Sequence, residues 1–159
     1  MKPLNTLPGL AIVLMSLLVS CNKSESVAPT KGDFKGSWTE NGNGATYTCT
    51  AGTLLMKNRI LTLYAVPGAG ATRNINFYLA DTLANTYTVG VTGNGVTSVL
   101  VNGVNGPEGN FFFNSTSGTL TITQKQPTWI SGTFEVKGNA TAGSLQTLKG
   151  SFEFASIKR

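Results

Sequence analysis

The sequence contains no histidine, and only 12% of its residues are charged. Without histidine, Ser–His–Asp triads, Cys–His pairs and histidine-ligated metal centres are excluded. The charged share is half of the usual value of about 25%, and the 12 lysines and arginines are scattered along the chain. Nucleic-acid binding needs such residues clustered on one face. We therefore expect no nucleic-acid partner, and at most a weak attraction to anionic lipid or glycan.

Long apolar runs are also scarce. Apart from Ser16, Leu10–Val19 is an unbroken apolar run, but a membrane-spanning helix needs about 20 residues. The run follows Lys2 and has the size of a signal-peptide core. It ends in Leu18-Val19-Ser20-Cys21, which resembles a bacterial lipobox. The resemblance implies that signal peptidase recognises Leu18, Val19 and Ser20 and cleaves before Cys21. The Cys21 thiol would then carry diacylglyceryl, and its new amine an acyl chain such as palmitate.

This cleavage point divides the chain into three parts. Residues 1–20 form the signal peptide, residues 21–32 a polar lipidated tether, and residues 33–159 a β domain of ordinary size. Several acyl chains on one residue suffice for stable anchoring. We therefore predict a lipid-anchored protein of the bacterial cell envelope, placed in the outer membrane. Whether it faces the periplasm or the exterior is left open.

Cysteine is scarce as well, since the chain has only Cys49 besides Cys21. With Cys21 lipidated, no intramolecular disulfide can form. Alternation over residues 46–50 puts Tyr47 and Cys49 on one face of a strand and the threonines on the other. Because a nucleophilic thiolate needs a base, we predict that Cys49 is a buried and inert thiol.

The sequence after Asp33 shows no helical periodicity, and its nearest case, Gly52–Asn58, is short. Alternating strands with turn residues every 8–12 positions or so predict an all-β fold, an antiparallel β-sandwich or flattened barrel of about 8–10 strands. Gly93-Asn94-Gly95 suits a tight hairpin, whereas Asn102–Asn110 is expected to be an irregular loop. The candidate strands are Thr46–Thr50, Leu54–Lys57, Ile60–Val66, Ile75–Leu79, Thr86–Val91, Thr97–Val101, Phe111–Asn114, Thr119–Thr123, Thr128–Val136 and Thr147–Ala155.

The C-terminal region contains the same sequence pattern twice. Ile130–Val136 and Leu148–Phe154 share the pattern apolar-x-Gly-hydroxyl-Phe-Glu-apolar. We expect the two segments to pair as an antiparallel hairpin, with Gly, Phe and the final apolar residue of each copy on one face. A turn near Ala142 would set Glu135 opposite Lys149, an exposed pair worth about 0.2–1 kcal/mol.

Four strand motifs follow the lipobox: Thr86–Val89, Gly118–Thr123, Ile130–Val136 and Gly150–Phe152. Together with the lipobox they resemble small lipoproteins of Bacteroidota that carry a domain of unknown function. That family often has an Asn-Gly-x-x-Trp feature on its N-terminal strand, where this chain has Phe34–Trp38. The resemblance implies an antiparallel β fold and an envelope location, and it brings no catalytic residues.

Carboxylates are the remaining route to catalysis. Glu135 and Glu153 would share a face of neighbouring strands, but that face is expected to be solvated. A carboxylate-based glycan hydrolase is therefore the minor alternative. Glu108 would be the only carboxylate in the Asn102–Asn110 loop, and calcium usually takes several. We expect no metal, no cofactor and no enzymatic activity.

Aromatic side chains give the last functional signal. Trp38, Trp129, Tyr64 and Tyr78 would form either a platform on which sugar rings stack or ordinary core and edge packing. The leading hypothesis is a non-enzymatic β domain that binds a glycan, a small ligand or an envelope protein. The alternative is a structural accessory subunit of an envelope assembly, which an exposed flat apolar patch would favour.

Overall fold

The computed structural model describes residues 29–42, 44–68, 70–90, 98–106, 109–141 and 145–159, with the backbone only for residues 105, 106 and 109. The described residues contain no helix. The fold is all-β, as predicted. Its strands are β1 (Lys35–Glu40), β2 (Ala45–Leu55), β3 (Ile60–Gly68), β4 (Ala71–Tyr78), β5 (Thr86–Val89), β6 (Ser98–Gly106), β7 (Gly109–Lys125), β8 (Trp129–Ala140) and β9 (Leu145–Lys158).

Eight of these strands close into a barrel. Their order is β7-β6-β4-β3-β2-β1-β9-β8, and β8 pairs with β7 to complete the circle. Neighbours in this circle are antiparallel, and β5 lies outside it, paired with β7. Because β1 is short, β2 and β9 also meet directly, in parallel, at Leu55 and Lys158. The barrel alternative of the sequence prediction is therefore confirmed.

The strand boundaries correct several expectations. Thr46–Thr50 and the first two residues of Leu54–Lys57 belong to the single strand β2, whose register shifts after Cys49. Met56 and Lys57 lie in the turn that follows. Phe111–Asn114 and Thr119–Thr123 likewise belong to β7, which has two register shifts against β8. At these register shifts the strand continues through a β-bulge, although the local sequence resembles a turn. The predicted Gly93-Asn94-Gly95 hairpin lies outside the described residues.

Two further segments are strands where none was expected. β1 was not among the predicted strands. The Asn102–Asn110 segment, expected to be a loop, is mostly hairpin, because the β6–β7 ladder continues to the pair Gly106 and Gly109. The interruption that the glycines suggest is a register shift after Gly103 rather than the end of the ladder.

The repeated C-terminal pattern explains how the side chains of β8 and β9 pack in the barrel interior. β8 and β9 are antiparallel, so Gly132 lies opposite Phe152 and Phe134 lies opposite Gly150. Each ring therefore covers the glycine of the other strand. Glu135 and Lys149 are register partners, and their charged atoms are 3.2 Å apart. The predicted hairpin and its register are confirmed, and Ala142 lies outside the described residues.

The strand β1 extends this interlocking pattern. Trp38 lies opposite Gly150, and Gly36 lies opposite Phe152. A Cβ atom on Gly150 would lie 2.3 Å from the Ser37 carbonyl oxygen and 2.7 Å from Trp38 Cβ. Large and small side chains thus alternate across three strands, which fills the interior without voids.

Phe154 departs from the predicted pattern. It was expected on the same inner face as Phe152, but its φ is 56°, in the left-handed region that a phenylalanine seldom occupies. The ring leaves the core and meets Trp129 edge-on, with 4.9 Å between the ring centroids. Ala155 takes the next inward position and is fully buried.

We predict that Gly150→Ala destabilises the barrel by about 3 kcal/mol, because the added methyl overpacks the interior against backbone that cannot yield easily. Urea unfolding of the full chain measures this. Gly68→Ala is the matched control, since a Cβ there meets nothing within 4 Å and should change stability by less than about 1 kcal/mol. Equal effects at both glycines would contradict the packing described.

Candidate functional site

A buried ion pair crosses the interior of the barrel. Arg73 on β4 donates from Nε to Oε1 of Glu40 on β1 at 3.0 Å, and from Nη2 to Oε2. The indole nitrogen of Trp38 donates to the same Oε1 at 3.1 Å. Glu40 and Arg73 are 0% and 3% exposed. Two strands separate β4 from β1 in the barrel, so the pair joins walls that are not hydrogen-bonded neighbours.

Aromatic rings enclose the guanidinium of this pair. Arg73 lies 3.5 Å from the centroid of the Phe111 ring and 5.1 Å from that of Tyr47. Tyr47 in turn stacks on Trp38, with 5.2 Å between the centroids. A Cβ atom on Gly103 would lie 2.6 Å from Arg73 Nη1, so only glycine leaves room for the guanidinium there. Cation–π contacts add to the ion pair in this dry environment.

The buried pair is a structural cross-link rather than a ligand site. The carboxylate of Glu40 already occupies two donors of the Arg73 guanidinium, where an acidic ligand would otherwise bind. Neither residue was singled out from the sequence. Strand alternation could have predicted that both residues face inward. Glu40 follows Gly36 and Trp38 at alternate positions. Arg73 precedes Ile75 and Phe77 in the same way.

Cys49 is buried inside the barrel, as predicted. It is 8% exposed, and burial raises the pKa of its thiol to about 12. The thiol is therefore neutral at physiological pH and a poor nucleophile. A Cβ atom on Gly36 would lie 3.0 Å from Cys49 Sγ, so the neighbouring strand packs directly on the thiol.

The predicted aromatic platform does not form. Trp38 is 1% exposed inside the barrel, and Trp129 is 2% exposed against Phe154. Tyr64 is half-buried on β3, and Tyr78 is exposed at the end of β4. Packing of the rings decides this outcome, because Trp38 lies in the core of the barrel, while Trp129 is buried outside the core cluster, against Phe154. Sugar stacking on this set of four is therefore excluded.

Hydroxyl side chains form a continuous row on the outer wall. Successive register partners across six strands all carry a hydroxyl group and face outward. The Oγ1 atoms of Thr121 and Thr86 at one end of the row are 3.1 Å apart. We name these residues the hydroxyl row: Thr48, Ser37, Ser151, Thr133, Thr121 and Thr86.

Charged residues flank the hydroxyl row on both sides. One flank holds the Glu135–Lys149 pair, whose side chains are 48% and 75% exposed. On the other flank, Lys35 is the register partner of Glu153. Since serine and threonine are short while lysine and glutamate are long, the part of the row from Thr48 to Thr133 lies at the bottom of a trench between the two flanks.

This trench consists of three open hollows that share Ser151. Their volumes are about 300, 520 and 500 Å³. Half-buried rings of Phe154 and Phe34 line the first and the second hollow. We name the three hollows together the outer groove.

The outer groove does not provide the carboxylate pair that a glycoside hydrolase uses. Glu135 lies opposite Lys149, and Glu153 is four residues further along β9, so the two glutamates are about 13 Å apart along the strands. Hydrolysis uses carboxyls about 5–9.5 Å apart. The described residues also hold no cluster of three or more metal-ligating side chains. Glu108 of the proposed calcium loop lies outside them.

We predict that Arg73→Met lowers the free energy of unfolding by about 3–5 kcal/mol, because it leaves the buried carboxylate of Glu40 without its positively charged partner. The double variant Arg73→Met with Glu40→Leu should recover at least half of the loss. Lys149→Met, which breaks the exposed pair, is the control and should cost less than about 1 kcal/mol. Similar losses for Arg73→Met and Lys149→Met in urea unfolding would refute the role of the buried pair.

We also predict that the Cys49 thiol resists alkylation in the folded protein at pH 8, and reacts once urea unfolds the chain. The raised pKa leaves almost no thiolate, and burial removes access. Mass spectrometry of the Cys49-containing peptide measures the reaction, with a Ser37→Cys variant as the solvent-facing control. Fast native labelling of Cys49 would contradict its placement in the core.

Comparison with protein families, with curated proteins and with solved structures finds no match to this chain. The resemblance to lipoproteins of Bacteroidota therefore stays a prediction. Residues 18–21, on which lipidation depends, lie outside the described ranges. Within those ranges, no helix is long and apolar enough to cross a membrane. Any functional conclusion must come from the groove and the charges of the barrel itself.

Proposed function

We propose that this protein is a lipid-anchored binding module of the bacterial cell envelope, and that the outer groove takes a glycan. The observation that carries the proposal is the hydroxyl row between two charged flanks. The interior is filled by side chains, as is common for an eight-stranded barrel, so a ligand has to bind on the outside. Leu18–Cys21 supports the lipid anchor on sequence grounds alone.

The chemistry of the outer groove suits a saccharide. Serine and threonine hydroxyls both donate and accept hydrogen bonds, as sugar hydroxyls do. Glu153 adds an acceptor and Lys35 a donor beside Ser151. The half-buried ring of Phe154, which has left the core, offers apolar surface at the groove, to which the apolar face of a sugar ring can pack. The groove is long and open, which favours a chain of sugars over a single small molecule.

The exposed pair Val104 and Phe112 supports a second candidate. Their exposed fractions are 47% and 51%. Phe112 is the register partner of Asn102, so Val104 is its diagonal neighbour on the same face. Two adjacent apolar side chains favour contact with a protein partner, which is the role of an accessory subunit in an envelope assembly.

The glycan proposal is tested by applying the purified full chain to an array of bacterial envelope and host glycans, followed by titration of the best binder. Ser151→Trp fills the middle of the outer groove and should weaken binding at least about tenfold, which is roughly 1.4 kcal/mol. Asn139→Trp, on the same wall but outside the groove, should leave binding unchanged. No binding, or an equal effect of the two variants, would refute the proposal.

A further inference from the structure

We propose that one end of the barrel docks on anionic lipid headgroups, and that a basic hollow at this end takes the lipid phosphate. We name it the tether end, because β1 begins there at Lys35 and residues 21–32 precede it. The inference rests on the proposed lipid anchor, which would hold this end close to the membrane. It also goes beyond that anchor, since it states which end of the barrel contacts the membrane.

The strand register defines the tether end. β1, β3, β6 and β8 begin there, and β2, β4, β7 and β9 end there, because Leu55, Ile60, Tyr78 and Ser98 are successive register partners. Leu55 also pairs with Lys158 at the end of β9. The chain enters the barrel and leaves it at this same end.

Basic side chains gather at the tether end, although they are scattered in the sequence. Seven of the ten described lysines and arginines lie there. Of the other three, Arg73 is buried against Glu40 and Lys149 faces Glu135, while Lys137 lies on the wall of β8. The seven are Lys31, Lys35, Lys57, Arg59, Lys125, Lys158 and Arg159.

Few carboxylates oppose this charge. Asp33 is exposed beside β1, and Glu153 lies opposite Lys35. Asp81 accepts hydrogen bonds from the Tyr87 hydroxyl and the Leu83 amide, and these bonds lower the pKa of its carboxyl. Asp81 thus stays ionised, and its charge also interacts with Lys125 and Arg59, but the seven cations outnumber these three side-chain carboxylates. The tether end therefore keeps an excess of positive charge.

Three of the seven cations surround one hollow. Its volume is about 180 Å³, and its lining is Leu55, Lys57, Asn58, Lys158 and Arg159. The turn and the end of β9 are held together by the Met56 amide, which donates to the Lys158 carbonyl at 2.9 Å. Two ammonium groups, a guanidinium and an amide are the donors that a phosphate ester prefers.

Leu55 distinguishes a lipid phosphate from a free one. Its side chain is 40% exposed beside the three cations, where a soluble phosphate would gain nothing from it. A headgroup brings its glycerol and upper acyl carbons next to the phosphate, and these would contact Leu55. Basic residues beside an anionic membrane surface bind additively with a lipid anchor.

The test uses the full lipoprotein reconstituted on vesicles of phosphatidylcholine, with or without phosphatidylglycerol. A fluorophore is attached through Thr128→Cys at the tether end or through Asn139→Cys near the other end, and the lipid headgroups carry a quencher. We expect quenching at position 128 with phosphatidylglycerol only, and none at position 139. Lys57→Glu with Lys158→Glu should weaken docking by about fivefold or more, while the control Lys137→Glu should not.

Other outcomes show whether the docking, the lipid assignment of the hollow or the lipid anchor is wrong. Equal quenching at both positions, or the same quenching without phosphatidylglycerol, overturns the docking inference, provided that the protein stays on the vesicles. If the soluble chain binds inorganic phosphate as tightly as it binds vesicles that contain phosphatidylglycerol, the hollow takes free phosphate and the lipid assignment is wrong. If the protein leaves the vesicles in high salt, the lipid anchor of the proposed function is wrong instead.

Discussion

The ion pair between Glu40 and Arg73 is the interaction on which the rest of the structure depends. It joins β1 and β4 across the interior, and it is dry, charged and held between aromatic rings. Such a pair tolerates little misalignment, because either partner alone would be a buried charge. Its position fixes where Trp38 packs, and Trp38 in turn needs Gly150 opposite it on β9. These contacts tie β1, β4 and β9 together inside the barrel that the β7–β8 ladder closes.

A filled interior leaves the outer surface to carry the function. The outer wall has short hydroxyl side chains bounded by Lys149, Glu135, Lys35 and Glu153, and the tether end has an excess of cations around a hollow beside Leu55. The outer groove lies along the side of the barrel and the hollow lies at its end, and Lys35 stands where the two meet. In the account proposed, the tether end faces the membrane and the outer groove stands along the side of the barrel, accessible to a glycan.

Local alternation predicted the all-β fold and much of the outer wall. It placed Tyr47 and Cys49 on one face of a strand, and both are buried. The repeated pattern of β8 and β9 gave the partnership of Glu135 with Lys149. The predictions that failed concern features that depend on contacts between distant parts of the chain. Trp129 is buried against Phe154, and no local pattern reveals the left-handed backbone that turns the Phe154 ring out of the core. The longer strands were hidden because bulges look like turns in a sequence, and the gathering of cations at the tether end follows from strand register alone.

The proposed lipid at Cys21 determines which end of the barrel faces the membrane, and the intact mass of the protein extracted from its native membranes tests for it. We expect a chain that begins at Cys21 and carries the added mass of a diacylglyceryl group and an amide-linked acyl chain. A chain that retains residues 1–20, or one that begins at or near residue 21 without any lipid, would contradict it. In either of those cases the tether end would have no reason to face a membrane.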